Sequence, residues 1–75
     1  MRRYTILLLE DKEQGWYWVE VPALPGCYSQ GNTVDEALKN AREAIELHIA
    51  GMLADGEPIP DDPGAPRVES VEVAA

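Results

Sequence analysis

The stretch TVDEALKNAREAIELHIAGMLAD, Thr33 to Asp55, decides the fold. Thr33 followed by Glu36 is a capping-box pattern, in which the Thr hydroxyl takes the amide three residues on and the Glu reaches back. Asp35 and Glu36 put negative charge in the first turn, where the helix dipole favours it. Gly56 suits the residue just past a helix end, and Pro58 and Pro60 forbid continuation. These signals predict one long helix over residues 33–55. At 100° per residue, Val34, Leu38, Ala41, Ile45, His48, Ile49 and Met52 make the core stripe, with Ala37 and Ala44 at its margin. Asp35, Lys39, Arg42 and Glu46 make a solvated stripe of mixed sign at favourable spacing. A third line holds Glu36, Asn40, Glu43 and Leu47; Leu47 lies off the core stripe, so Asn40, Glu43 and Leu47 are candidate partner contacts.

Upstream of the helix the chain reads as strands. Tyr4 to Leu9 is a short apolar run, expected to be buried on both faces, with Ile6 and Leu8 pointing one way and Leu7 and Leu9 the other. The polar run Glu10 to Gly15 is a hairpin turn, and Trp16 to Val21 is a second strand rich in aromatic and β-branched residues. Pro25 and Gly26 fit the centre of a type II turn. Cys27 to Gln30 makes a short third strand, and Gly31 lets the chain swing into the helix. Downstream, residues 57–66 form a proline-rich loop within the same domain, and the alternating run Arg67 to Val73 predicts a fourth strand at a sheet edge.

The expected fold is therefore α+β in the order β-β-β-α-β, a single-layer sheet with one helix on one face. A right-handed crossover would return the last strand parallel to the first. One helix covers one face only. If Tyr17, Val19 and Val21 face it, Trp16 and Trp18 project from the other side beside Leu7 and Leu9; the opposite register buries the tryptophans and exposes Tyr17, Val19 and Val21. Either arrangement leaves an apolar outer face of the kind that marks an interface. The chain is expected to form a homodimer or higher homo-oligomer, or to bind a partner through its sheet.

Composition narrows the function. In 75 residues there are fourteen acidic and six basic side chains, a formal charge of −8. Such a surface repels nucleic acid, whose binding rests on Lys and Arg, and suits a basic protein partner. A chain this short is one domain near the lower limit of independent stability, for which oligomerisation is a usual aid. The single Cys27 excludes an internal disulfide, and Cys27 with His48 cannot make a four-ligand zinc site. No apolar run approaches the roughly 20 residues that span a bilayer, so a cytoplasmic location is expected. No phosphate-cradling glycine loop is present, because Gly26 and Gly31 match neither nucleotide-binding pattern. Cys27 and His48 belong to different elements, and the acidic residues are scattered over turns, loop and helix cap. No catalytic residue, metal or cofactor is expected, and the chain reads as a non-enzyme.

The segments Val21-Pro-Ala-Leu-Pro-Gly-Cys27, Ser29-Gln-Gly31, Thr33-Val-Asp-Glu-Ala-Leu-Lys-Asn40 and Glu43-Ala-Ile45 together resemble the HicB-type antitoxin family, as does Asp55-Gly-Glu-Pro-Ile-Pro60. The resemblance covers about residues 4 to 63. It implies a partial ribonuclease H-like fold that commonly self-associates. It also implies the antitoxin half of a toxin–antitoxin pair, covering the active surface of a small basic RNA-cleaving HicA-like toxin. The motif residues Pro25, Gly26, Cys27, Gly31, Thr33 and Glu36 are structural in that picture. Many members carry a DNA-binding segment after this domain, and none is expected in residues 1–75. Two other readings stand beside it: an orphan oligomeric structural or regulatory domain, and a metal-dependent nuclease built on Glu10 with helix and last-strand acids.

Overall fold

The computed structural model describes residues 2–75. Three strands, β1 (Leu7–Asp11), β2 (Trp16–Glu20) and β3 (Tyr28–Gly31), are followed by one helix, α1 (Val34–Ala54). The sheet is an antiparallel meander in the order β1-β2-β3. β1 starts three residues later than the apolar run suggests and takes in Glu10 and Asp11. Its turn is closed from Gly15 N–H to the Asp11 carbonyl at 2.8 Å. The Asp11 side chain also accepts the amides of Glu13 and Gln14 at 3.1 and 3.0 Å, and Gly15 takes the positive φ of 76° that the turn requires.

Between β2 and β3 the chain makes two successive turns. The Leu24 amide donates to the Val21 carbonyl at 3.0 Å, and the Cys27 amide donates to the Leu24 carbonyl at 3.0 Å. Pro25 and Gly26 occupy the centre of the second turn, with Gly26 at φ 85°, as a type II turn demands. The double turn drives Leu24 inward, and with Val19, Val21, Cys27, Ala37 and Ala41 it makes the buried core.

The helix is capped much as the sequence predicts. The Glu36 amide donates to Thr33 Oγ1 at 3.1 Å. The return bond comes from the amide of Asn32, at 3.1 Å from Glu36 Oε1, one residue upstream of the expected donor. At the other end the amides of Gly56 and Glu57 donate to the carbonyls of Leu53 and Met52 at 3.2 and 2.9 Å. Gly56 takes φ 71°, so the end is a Schellman motif.

Three expectations are corrected. The helix is rotated at its first turns from the predicted stripe: Ala37 and Ala41 are its fully buried positions and Val34 and Leu38 are exposed, while Ile45, Ile49 and Met52 of that stripe do pack against the core. The cause is Gly31, where a Cβ would lie 2.4 Å from the backbone nitrogen of Ala37. Such an approach requires the smallest side chains at the seam, so alanine displaces valine and leucine from it. Second, β1 is not buried on both faces; it is a sheet edge, with Leu8 and Leu9 exposed. The helix packs over β3 and β2 and leaves β1 without comparable cover. Third, residues 67–73 form no strand. They are exposed and join no ladder, with Arg67 paired to Glu69 two residues on, so the fourth strand is absent from the chain's own sheet.

The proline-rich loop over residues 57–66 is nevertheless anchored. Tyr4 Oη donates to the Pro60 carbonyl at 2.6 Å, Thr5 Oγ1 donates to Asp62 Oδ2 at 2.7 Å, and Arg2 pairs with Asp61 at 3.1 Å. These bonds seat the loop against the segment that enters β1. Tyr4 and Ile6 pack against the core from the same segment.

Candidate interaction surface

Register settles which residues face the helix. Leu8 pairs with Val19 and Glu10 with Tyr17, while Leu9 pairs with Trp18, Leu7 with Glu20 and Asp11 with Trp16. Directly paired residues point to the same side of a sheet, and Val19 is in the buried core under the helix. Tyr17, Val19 and Val21 thus face α1. Leu7, Leu9, Trp16 and Trp18 share the outer face, as the first of the two sequence registers requires. Glu20 pairs with Tyr28 and Trp18 with Gln30, so these residues join them. Trp18, Leu9 and Tyr28 are exposed, and Leu7 and Trp16 are half-buried.

The outer face is a band of aromatic and aliphatic side chains with carboxylates at its ends. Asp11 lies at one end and Glu20 at the other. Tyr28 and Glu20 were not among the residues singled out from the sequence. Period-two alternation from Trp18 assigns Glu20 to this face, whereas Tyr28 depends on the register that the double turn sets. Trp and Tyr carry a disproportionate share of binding energy at protein interfaces, because each buries a large area for little lost freedom.

The other candidates fall elsewhere. Asn40 Nδ2 donates to the Gln30 carbonyl at 2.8 Å and ties the helix to the edge of β3. It shares a groove of about 310 Å³ with Trp16, Gln30, Gly31, Asn32 and Glu36. That volume is at the small end for a ligand site, and Glu36, its one ionisable side chain, is already committed to the helix cap. Glu43 and Leu47 are exposed on the helix, Leu47 at 77%. The structure therefore gathers Leu7, Leu9, Trp16 and Trp18 on one sheet face but leaves Glu43 and Leu47 on the helix, away from it. Pro25, Gly26, Gly31, Thr33 and Glu36 do the structural work expected of them in turn, seam and cap.

Cys27 is buried in the core, and burial pushes its thiol above its ordinary pKa. It is a packing residue, since the thiolate is the reactive form and burial opposes it. Among the described residues there is no group of three or more His, Cys, Asp or Glu side chains placed to hold a metal ion. Among those residues, too, no helix is long and apolar enough to cross a membrane.

Comparison with known proteins agrees with this architecture. Residues 4–72 match the family described as HicB-like antitoxin of bacterial toxin–antitoxin systems. A UPF0150 protein of Thermoplasma acidophilum is 48% identical over 60 residues, covering 80% of this chain and 86% of that protein. The antitoxin HicB 1 of Photorhabdus laumondii is 38% identical over 58 residues, covering 77% of this chain and 37% of that longer protein. In three dimensions the chain is similar to the crystal structure of the N-terminal domain of the Burkholderia pseudomallei antitoxin HicB. The TM-score is 0.69 at 37% identity, over 80% of this chain and 69% of that one. The family match spans nearly the whole chain, and the protein belongs to the HicB-like antitoxin family of bacterial toxin–antitoxin systems.

Proposed function

We propose that the domain is a non-enzymatic antitoxin module that binds a small basic, RNA-cleaving HicA-like toxin in the cytoplasm and occludes its active surface. The observation that carries this reading is the open sheet face, where Trp18 and Leu9 are exposed between Asp11 and Glu20 and Tyr28 is exposed beside Glu20. Aromatic anchors supply affinity. The surrounding charge, −8 for the chain, steers a basic partner to the face and raises its rate of encounter. The same charge argues against direct nucleic-acid binding by residues 1–75. The reading includes self-association, and it keeps the partial ribonuclease H-like relation for the sheet-and-helix layer without that fold's chemistry.

The test is a search of the adjoining reading frames for a small basic protein and its co-expression with this chain, followed by purification and an RNA-cleavage assay. A stable complex with suppressed cleavage is expected, and Trp18→Asp should weaken it by roughly 100-fold or more, the scale of an interface hot spot. Failure of that neighbour to bind, or binding indifferent to Trp18→Asp, overturns the proposal.

A further inference from the structure

The tail beyond the proline-rich loop has no place in its own domain. The radius of gyration is 14.3 Å, against about 11 Å for a compact chain of this length. The longest dimension is 45 Å. Val68, Val71 and Val73 are 80–85% exposed, an unusual fate for three β-branched residues in one short run. Yet the family match runs to residue 72 and so takes in most of this tail.

The sheet has a matching vacancy. Among the described residues β1 pairs only with β2, so the groups on its far side have no ladder partner there, and a free edge of this kind is a template for another strand. On the helix side of that edge Leu8 is also exposed, because α1 does not reach it.

We propose that residues 67–73 form the fourth strand in trans, added antiparallel to the β1 edge of a second copy, with the exchange reciprocated to give a two-fold dimer. The position of the valines selects the direction. Run antiparallel, the tail can set Arg67 opposite Glu10, and then Val68 and Val71 fall opposite Leu9 and Ile6, short of Tyr4 and Thr5, which the chain's own loop holds. Ile6 already packs against the core, so Val71 extends it. Run parallel from Asp62 at Thr5, Arg67 also comes level with Glu10, but Val68 then reaches Asp11, where β1 ends, and Val71 and Val73 run past it.

The anchoring of the loop then favours a second copy over the chain's own edge. Asp62 is held at Thr5, just before the start of β1. From there a tail in its own domain enters β1's edge parallel to it. Entering antiparallel means travelling the length of β1 first, about 17 Å for five residues. The connection from Asp62 to Arg67 spans at most roughly that distance when fully extended, and it still has to reverse. Pro63 and Pro66 stiffen it against reversal. A two-fold exchange needs no reversal, since each tail runs straight onto its partner. The exchange uses the β1 edge and leaves Trp18 and Tyr28 uncovered, so it stands independently of toxin binding.

Sedimentation of the full chain at tens of micromolar tests it. The expected species has twice the 8.3 kDa chain mass, and Val71→Pro should weaken the dimer by roughly 10-fold or more by removing ladder hydrogen bonds. Circular dichroism should show the helix of that variant intact, because Val71 is exposed and lies outside the core cluster. Mixing chains carrying Leu9→Cys with chains carrying Val68→Cys should give a disulfide between chains on oxidation. A monomeric wild-type chain, a dimer indifferent to Val71→Pro, or linkage that forms only inside a doubly substituted chain would each overturn the proposal. So would a dimer abolished by Trp18→Asp but untouched by Val71→Pro.

Discussion

The two edges of the sheet are built in opposite ways. At the β3 edge the backbone of Gly31 abuts the first turn of α1, Asn40 bonds across to Gln30, and Thr33 and Glu36 close the helix end. Everything there is small, local in sequence and satisfied within the chain. At the β1 edge the leucines are exposed and the ladder is open, and the covering segment is a loop held by three polar bonds. The difference separates the side that carries the chain's own stability from the side that stays open. A chain of this size buries only about 60% of the surface of its unfolded state; here the β3 edge is packed tightly, and the open β1 edge is the one proposed above for association.

Substitutions on the helix-covered side should therefore dominate the stability of the chain. Leu24→Ala empties the centre of the core and should cost about 3 kcal/mol in urea unfolding. Gly31→Ala drives a methyl group into the backbone of Ala37. The first helical turn must shift, at about 2 kcal/mol, and a smaller residue elsewhere will not relieve it. Thr33→Ala removes the cap acceptor for the Glu36 amide and should cost about 1 kcal/mol. On the other side, Leu9→Ser at protein concentrations low enough to keep the chain monomeric should change stability by less than about 0.5 kcal/mol. If it costs as much as Leu24→Ala, the contrast between the edges is wrong.

The smallest effect expected is one of pH. The folded thiol of Cys27 ionises above its ordinary value of about 9, through desolvation. The unfolded thiol ionises first, so the unfolded state binds fewer protons over the interval between the two values. Stability is then full below the unfolded value and declines as pH rises toward the folded one. Cys27→Ala should flatten that alkaline decline in a series of unfolding midpoints, though the variant starts from a lower value because it leaves a small void.

The legible part of the fold was its local part. The helix ends, the Pro25-Gly26 turn and the hairpin at Gly15 rest on signals within a few residues of one another, and the structure keeps all of them. The outer face was half legible. Strand periodicity grouped Trp16 and Trp18 with Leu7 and Leu9 in one of two registers, but the choice between registers depends on which face the helix covers. Asn40 looked like a surface contact, since nothing in its own sequence neighbourhood reveals the Gln30 carbonyl ten residues upstream. Glu43 and Leu47 are as exposed as their helical positions imply.

By itself the sequence determined the order of the three strands and the helix, their caps and turns, and a net charge of −8, because each depends on backbone preferences or on counting. Only the tertiary structure decided that Ala37, and not Val34 or Leu38, leads the buried face of the helix. The side chain that wins at a seam is set by how closely two backbones approach, and Gly31 allows an approach that alanine alone can match. Only the tertiary structure decided, too, that residues 67–73 stay out of their own sheet. Alternating valines show that a strand is possible; whether an edge lies within reach and in the right direction depends on where Asp62 is held.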